Sequence, residues 1–158
     1  MKKLLLVALV FCAFSASAQR GYSSSEYART ELGVSGGLLF PDNIATVKLQ
    51  IPIRVADHIQ VAPTVLYFTD GIEDVIGRFV FMANVNFPVS KTRSYFYPGI
   101  GAGYFMGVGP IAGAHLGYTL MLGDRVGINL QSGILFASDT KTAGTALVTE
   151  LGLRFSLD

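Results

Sequence analysis

The chain has 158 residues, with twelve basic against eleven acidic side chains and a single cysteine. A balance this close to neutral leaves no electrostatic footprint for nucleic acid, and one thiol cannot make an internal disulfide or a thiolate metal site. With 51% hydrophobic and only 15% charged residues, eighteen glycines, eleven Phe and seven Tyr, such a chain either buries nearly everything or faces lipid.

Residues 1–18 carry the marks of a secretory signal. Lys2 and Lys3 form a positive region, Leu4 to Phe14 an apolar core, and Ala16-Ser17-Ala18 a small-residue cleavage site. The apolar run is too short for a retained anchor helix. Cys12 is preceded by Phe11, where a lipoprotein signal would place a small residue. Cleavage after Ala18 removes Cys12, Lys2 and Lys3, which leaves ten basic against eleven acidic residues. Residues 19–29, from Gln19, are polar, serine-rich and aperiodic, the composition of a flexible leader. The rest, 30–158, is expected to be one domain.

From Thr30 the chain alternates with a period of two, the pattern of strands whose faces meet different environments. The first segment, Thr30 to Phe40, sets Leu32, Val34, Leu38 and Phe40 against Glu31, Gly33, Ser35 and Gly37; Pro41-Asp42-Asn43 ends it. Ala45 to Val55 sets Val47, Leu49, Ile51, Ile53 and Val55 against Thr46, Lys48, Gln50 and Arg54. Ile59 to Phe68 follows after an Ala56-Asp57-His58 turn. An acidic loop with Asp70, Glu73 and Asp74 leads to Arg78 to Val89, where Phe79, Phe81, Val85 and Phe87 oppose Arg78, Asn84 and Asn86. A basic turn at Lys91 and Arg93 precedes Tyr95 to Met106, with Gly99, Gly101 and Gly103 on one face. Gly107 to Pro110 reads as a tight loop before Ile111 to Leu122, which places Gly113, His115, Gly117 and Thr119 together. Val126 to Phe136 and Thr145 to Leu157 complete the set. In the last, Leu147, Leu151, Leu153, Phe155 and Leu157 oppose Ala146, Val148, Glu150, Gly152 and Arg154. The expectation is an all-β, eight-stranded, antiparallel up-and-down transmembrane β-barrel.

Two arguments place the apolar face outside. The polar face holds few long charged side chains, too few for a solvated surface, which is roughly 25–35% charged; its glycine, serine, alanine and asparagine suit a narrow eight-stranded interior. Aromatic placement is the second. Threaded with both termini periplasmic, Phe40, Tyr67, Phe79, Tyr104 and Phe136 point outward near one rim, and Phe87, Phe96 and Phe155 near the other. Two aromatic girdles are what a barrel in a bilayer shows.

Ser94 to Ala114 also offers a helical alternative, because Gly99, Gly103 and Gly107 are spaced by four, as small residues are in packed transmembrane helices. Pro98, Pro110 and the glycine density argue against it. Pro52, Pro63 and Pro98 fall inside predicted strands, where the missing N–H is costly. Bulges, or a late strand start at Pro98, are expected; Pro63 has no sequence-level account.

The closing strand carries a resemblance. Glu150-x-Gly152-x-x-Phe155-x-Leu157 resembles the C-terminal signal of bacterial outer-membrane β-barrels, with Leu157 where that signal ends in an aromatic. The chain from about Thr30 to Leu157 is similar in architecture to the small OmpX and OmpA-transmembrane group. The resemblance implies a place in the bacterial outer membrane, contact with outer-membrane lipid, and recognition by the barrel-insertion machinery. It carries over no catalytic residue.

The chemistry read from the residues is sparse. No G-x-G-x-x-G phosphate loop occurs. His115 is expected inside the barrel as a hydrogen-bonded histidine rather than a base, and His58 in a turn. Asp70, Glu73 and Asp74 have the chemistry to chelate a cation that bridges lipopolysaccharide phosphates, but such a cluster is more often a solvated loop. No catalytic residue, cofactor or metal site is predicted. The interior charges Glu31, Lys48, Arg54, Arg78, Glu150 and Arg154 must be paired or wetted and are expected to form a salt-bridged plug. The reading is a non-enzymatic barrel with a structural or surface-interaction role. A minor solute channel, a lipid-modifying enzyme and an accessory subunit of a secretion or assembly complex stay open; no particular protein partner is indicated.

Overall fold

The computed structural model describes residues 30–69, 79–89, 94–137 and 144–157. Its strands are β1 (Glu31–Phe40), β2 (Ile44–Gln50), β3 (Ile53–Ala56), β4 (Ile59–Phe68), β5 (Phe79–Asn86), β6 (Tyr95–Phe105), β7 (Gly109–Met121), β8 (Val126–Ala137) and β9 (Gly144–Ser156). Each pairs antiparallel with its neighbours. β1 pairs with β9 from Glu31↔Ser156 to Phe40↔Leu147, and β2 pairs with both β1 and β4. That second pairing closes the sheet into an eight-stranded barrel. Closure matters physically, because strands crossing an apolar medium must satisfy every backbone N–H and C=O among themselves.

The predicted segment Ala45 to Val55 is one barrel wall in two pieces. β2 meets β4 with Gln50↔Thr64, and β3 resumes in the same register with Ile53↔Val61. Two prolines cause the break. Ile51 N–H donates to the Pro63 carbonyl at 2.9 Å, but Pro63 has no N–H to return. Glu31 N–H donates to the Pro52 carbonyl at 2.9 Å, and Pro52 likewise returns nothing. Both missing donors therefore fall at one junction. The register shift lies beyond it, between Arg54 and Ala56, so neither proline itself sits in a bulge. Ile53, predicted to lie exposed with Ile51, is instead buried, bridged to Thr30 and paired with Val61.

Pro98 departs from expectation too. β6 starts at Tyr95, ahead of it. The Pro98 carbonyl accepts from Phe87 N–H at 2.8 Å, which aims its absent donor at the segment just past the end of β5. The turn between β6 and β7 is tighter than predicted: Gly109 and Pro110 already belong to β7, and Gly107, with φ of 87°, makes the corner. The helical alternative for Ser94 to Ala114 fails, since β6 and β7 pair continuously from Tyr95↔Thr119 to Phe105↔Gly109.

Burial alternates along the strands, as in β5 and β7. Val47, Leu49, Leu116, Leu130 and Leu151 point outward, while Lys48, Gln50, His115, Gln131 and Glu150 are buried inside. The interior changes character along its length. Near the end where β1 begins and β9 finishes it is polar and charged. Towards the turns 41–43 and 106–108 it is an apolar cluster that includes Leu39, Leu66, Phe68, Val80, Phe105 and Ile111.

Candidate functional site

The described residues with unusual chemistry lie in the lumen. β1 opens with Glu31 and β9 brings Arg154 beside it, the register placing Arg154 opposite Gly33. The Arg154 guanidinium, with the residue only 1% exposed, donates from Nη1 to Glu31 Oε2 at 3.0 Å and to Tyr95 Oη at 2.6 Å, and from Nη2 to Tyr97 Oη at 2.6 Å. Tyr95 Oη also lies 3.0 and 2.9 Å from the two Glu31 carboxylate oxygens. In the strand order β6 stands diametrically across the barrel from β1, so the Tyr95–Glu31 contact spans the whole lumen. Arg54 stacks over the Tyr95 ring at 5.3 Å from its centroid, and Arg154 over Tyr97 at 4.9 Å; both distances fit cation–π attraction.

A second polar layer lies next to the first. Lys48 Nζ pairs with the Glu150 carboxylate, reaching past β1, and donates to Gln131 Oε1 on β8 at 3.0 Å. Tyr97 Oη lies 2.8 Å from Asn129 Oδ1 and 3.2 Å from Gln131 Oε1, and the contact with Gln131, which also accepts from Lys48, ties the two layers together. Asn86 donates to Gln60 Oε1 at 3.0 Å, and Asn84 to Thr64 Oγ1 at 2.8 Å. His115 Nε2 lies 2.8 Å from Asn86 Oδ1, and the imidazole meets the Tyr97 ring edge-on. A cavity of about 40 Å³ bordered by Lys48, Thr64, Asn84, His115, Gln131 and Glu150 is the space left here, room for about three waters.

Glycine makes this crowding possible. A Cβ on Gly117 would stand 2.1 Å from Tyr97 Cζ, and one on Gly99 2.3 Å from His115 Nε2. Large interior side chains therefore lie flat across the bare backbone of the adjacent strand. On Gly37, a Cβ would meet the Glu150 Cγ at 2.7 Å.

Of the six charges predicted for the lumen, Glu31, Arg54 and Arg154 gather around Tyr95, and Lys48 and Glu150 pair in the next layer. Arg78 lies outside the described residues, as do Asp70, Glu73, Asp74, Lys91, Arg93 and residues 1–29. Charged-residue spacing did not reveal Tyr95 and Tyr97, the side chains that join the network across the lumen. Their signal was present, because both share the odd parity of Gly99, Gly101 and Gly103, the interior face of β6. Also missed were the apolar interior residues of the far end.

Among the predicted rim aromatics, Phe79, Tyr104, Phe136, Phe87 and Phe96 are exposed outward, and Phe40, Tyr67 and Phe155 are half-buried. Tyr67 and Phe79 touch across β4 and β5 with centroids 5.0 Å apart. Of the closing motif, Glu150 is held inside by Lys48, Gly152 packs against Ser35, and Phe155 and Leu157 lie on the outward parity. His58 in the β3–β4 turn lies 3.2 Å from the Pro88 carbonyl. Among the described residues, no three His, Cys, Asp or Glu side chains converge as a metal site.

No family model matches the chain, and no curated protein does. Solved structures do. A de novo designed transmembrane β-barrel superposes with a TM-score of 0.65 at 12% identity, over 84% of this chain and 98% of that one. The N-terminal β-barrel domain of Pseudomonas aeruginosa OprF gives 0.61 at 12% identity, over 80% and 95%. Neisserial surface protein A gives 0.59 at 9% identity, over 81% and 96%. The chain therefore has the fold of small transmembrane β-barrels, and its neighbours include outer-membrane proteins of eight strands.

Proposed function

We propose that this chain is a non-enzymatic barrel of the bacterial outer membrane, exported by its N-terminal signal, and that its lumen is plugged. Its role is then structural, or surface interaction through the short turns, rather than solute passage. The carrying observation is the crossbar of Tyr95 and Tyr97, which runs from β6 to Arg154 and Glu31 on the opposite wall. Charges in a narrow lumen are stable only when paired and hydrogen-bonded, and here the partners that satisfy them also fill the cross-section.

The outward apolar face fits outer-membrane lipid, with the aromatic rings near the two rims fitting the headgroup boundary. Glu150, Gly152, Phe155 and Leu157 fit a signal for the barrel-insertion machinery during biogenesis. His115 is engaged by Asn86 and Tyr97 and is assigned a structural role. Recovery in the outer-membrane fraction as a heat-modifiable band tests the location; recovery as a soluble periplasmic protein overturns it. Planar-bilayer recording tests the plug. Wild type is expected to be silent, while Tyr95→Ala combined with Tyr97→Ala opens a measurable leak. A large, stable open current from wild type refutes the reading.

A further inference from the structure

The lumen is closed by charge at one end only. At the other, beyond the Lys48–Glu150 layer, a cavity of about 270 Å³ opens among inward-facing apolar side chains. Leu39, Phe68, Val80, Phe105, Ile111 and Leu135 reach it from six different strands. The Phe68 and Phe105 rings meet at a tilt of 42° in its wall, with centroids 5.3 Å apart. Among the described residues that line it, Asp42, in the turn after β1, is the sole ionisable one.

This arrangement is costly to leave wet. Water against apolar walls finds few hydrogen-bond partners, and an enclosed cavity of about 150 Å³ lined by Leu, Ile and Phe stays dry and accepts benzene. The cavity here is larger and is walled by the barrel, and the Lys48–Glu150 layer, beyond Leu66, Met82 and Val148, offers an apolar molecule no onward path. The cavity's occupant is therefore bound rather than conducted. The Asp42 carboxylate and the apolar walls disfavour an anion, because a charge moved into such a site loses its hydration without a partner.

We propose that this cup is a binding site for a small, uncharged, apolar molecule of about one aromatic ring or a short alkyl chain. The site lies on the far side of the Lys48–Glu150 layer from Tyr95, so binding itself is independent of the Tyr95–Tyr97 crossbar, while retention of the bound molecule rests on the plugged lumen.

The test uses the full mature chain in lipid nanodiscs, with toluene as the probe and benzoate as its charged counterpart. Methyl NMR follows Leu39, Val80, Ile111 and Leu135 inside, and Leu116 and Leu130 on the outward face as controls for toluene dissolved in lipid. The expected result is saturable shifts of the interior methyls with toluene, little movement of the outward pair, and at least tenfold weaker binding of benzoate. Ala146→Phe, at a position lining the cup and packed against its apolar cluster, is expected to raise the half-saturating toluene concentration at least tenfold. Leu135→Asn, nearly the same size but polar, should do the same if the bulkier variant fails to give a heat-modifiable band. Interior methyls that do not move, shifts that rise without saturation in both sets, benzoate binding equal to toluene, or folded variants that bind as wild type each overturn the proposal.

Discussion

Arg154→Met removes the centre of the charged layer while keeping a side chain of similar length. Three hydrogen bonds go with the guanidinium, to Glu31, Tyr95 and Tyr97, and among the described residues the Tyr95 hydroxyl is the donor left to the buried Glu31 carboxylate. Breaking a buried pair by deleting one partner costs about 3–5 kcal/mol, mostly because the survivor keeps an uncompensated charge. Unfolding by urea in lipid vesicles, read as loss of the heat-modifiable band, would report this. With a slope of ~2 kcal/mol per molar, the midpoint is expected to fall by about 2 M. A second substitution separates the pair from mere packing. Glu31→Gln removes the charge that Arg154→Met strands, so the double variant should be less destabilised than the two single costs together, by about 1–3 kcal/mol of coupling. If Arg154→Met stays within about 1 kcal/mol of wild type, or the two costs add without coupling, the network does not hold the lumen as described.

Three further outcomes follow from the geometry. Gly117→Ala puts a methyl into the buried Tyr97 ring, 2.1 Å from Cζ, and should cost about 1–3 kcal/mol by overpacking; a stability equal to wild type by the same unfolding assay would mean that Tyr97 does not lie across Gly117. Leu130→Arg, mid-strand on the outward face and 52% exposed, should destabilise by about 2–4 kcal/mol in a bilayer, whereas a neutral effect in vesicles would place that face in water. Pro63→Val supplies the donor absent opposite Ile51. Its amide is expected to be protected from hydrogen exchange, with stability changed by under about 1 kcal/mol, because a hydrogen bond of this size is offset by the lost stiffness of proline in the unfolded chain. Rapid exchange at residue 63 would show that the wall stays open there.

Legibility in the sequence followed from whether the two faces of a strand meet different media. In β7, Leu116, Tyr118 and Leu120 alternate with His115, Gly117 and Thr119, so the pattern declares both the strand and its sidedness. Near the turns 41–43 and 106–108 the interior is as apolar as the exterior. Leu38 and Leu39, or Val80 and Phe81, then carry no marker of which points inward, and the cup could not be seen. The prolines illustrate a different limit. Pro52 and Pro63 look like separate violations of one sheet, and only their pairing with Glu31 and Ile51 shows that both absences meet at a single junction.

What the sequence by itself determined was the strand count and, away from the turns 41–43 and 106–108, the polarity of most of each face, because a period of two reports the environment directly through composition. What only the tertiary structure decided was partnership. Which acid meets which base, that Tyr95 and Tyr97 cross the lumen to join them, and that an apolar cup lies above the charged layer all depend on register between strands far apart in sequence. Glu31 and Arg154 are 123 residues apart along the chain; barrel closure between β1 and β9 is what makes them neighbours.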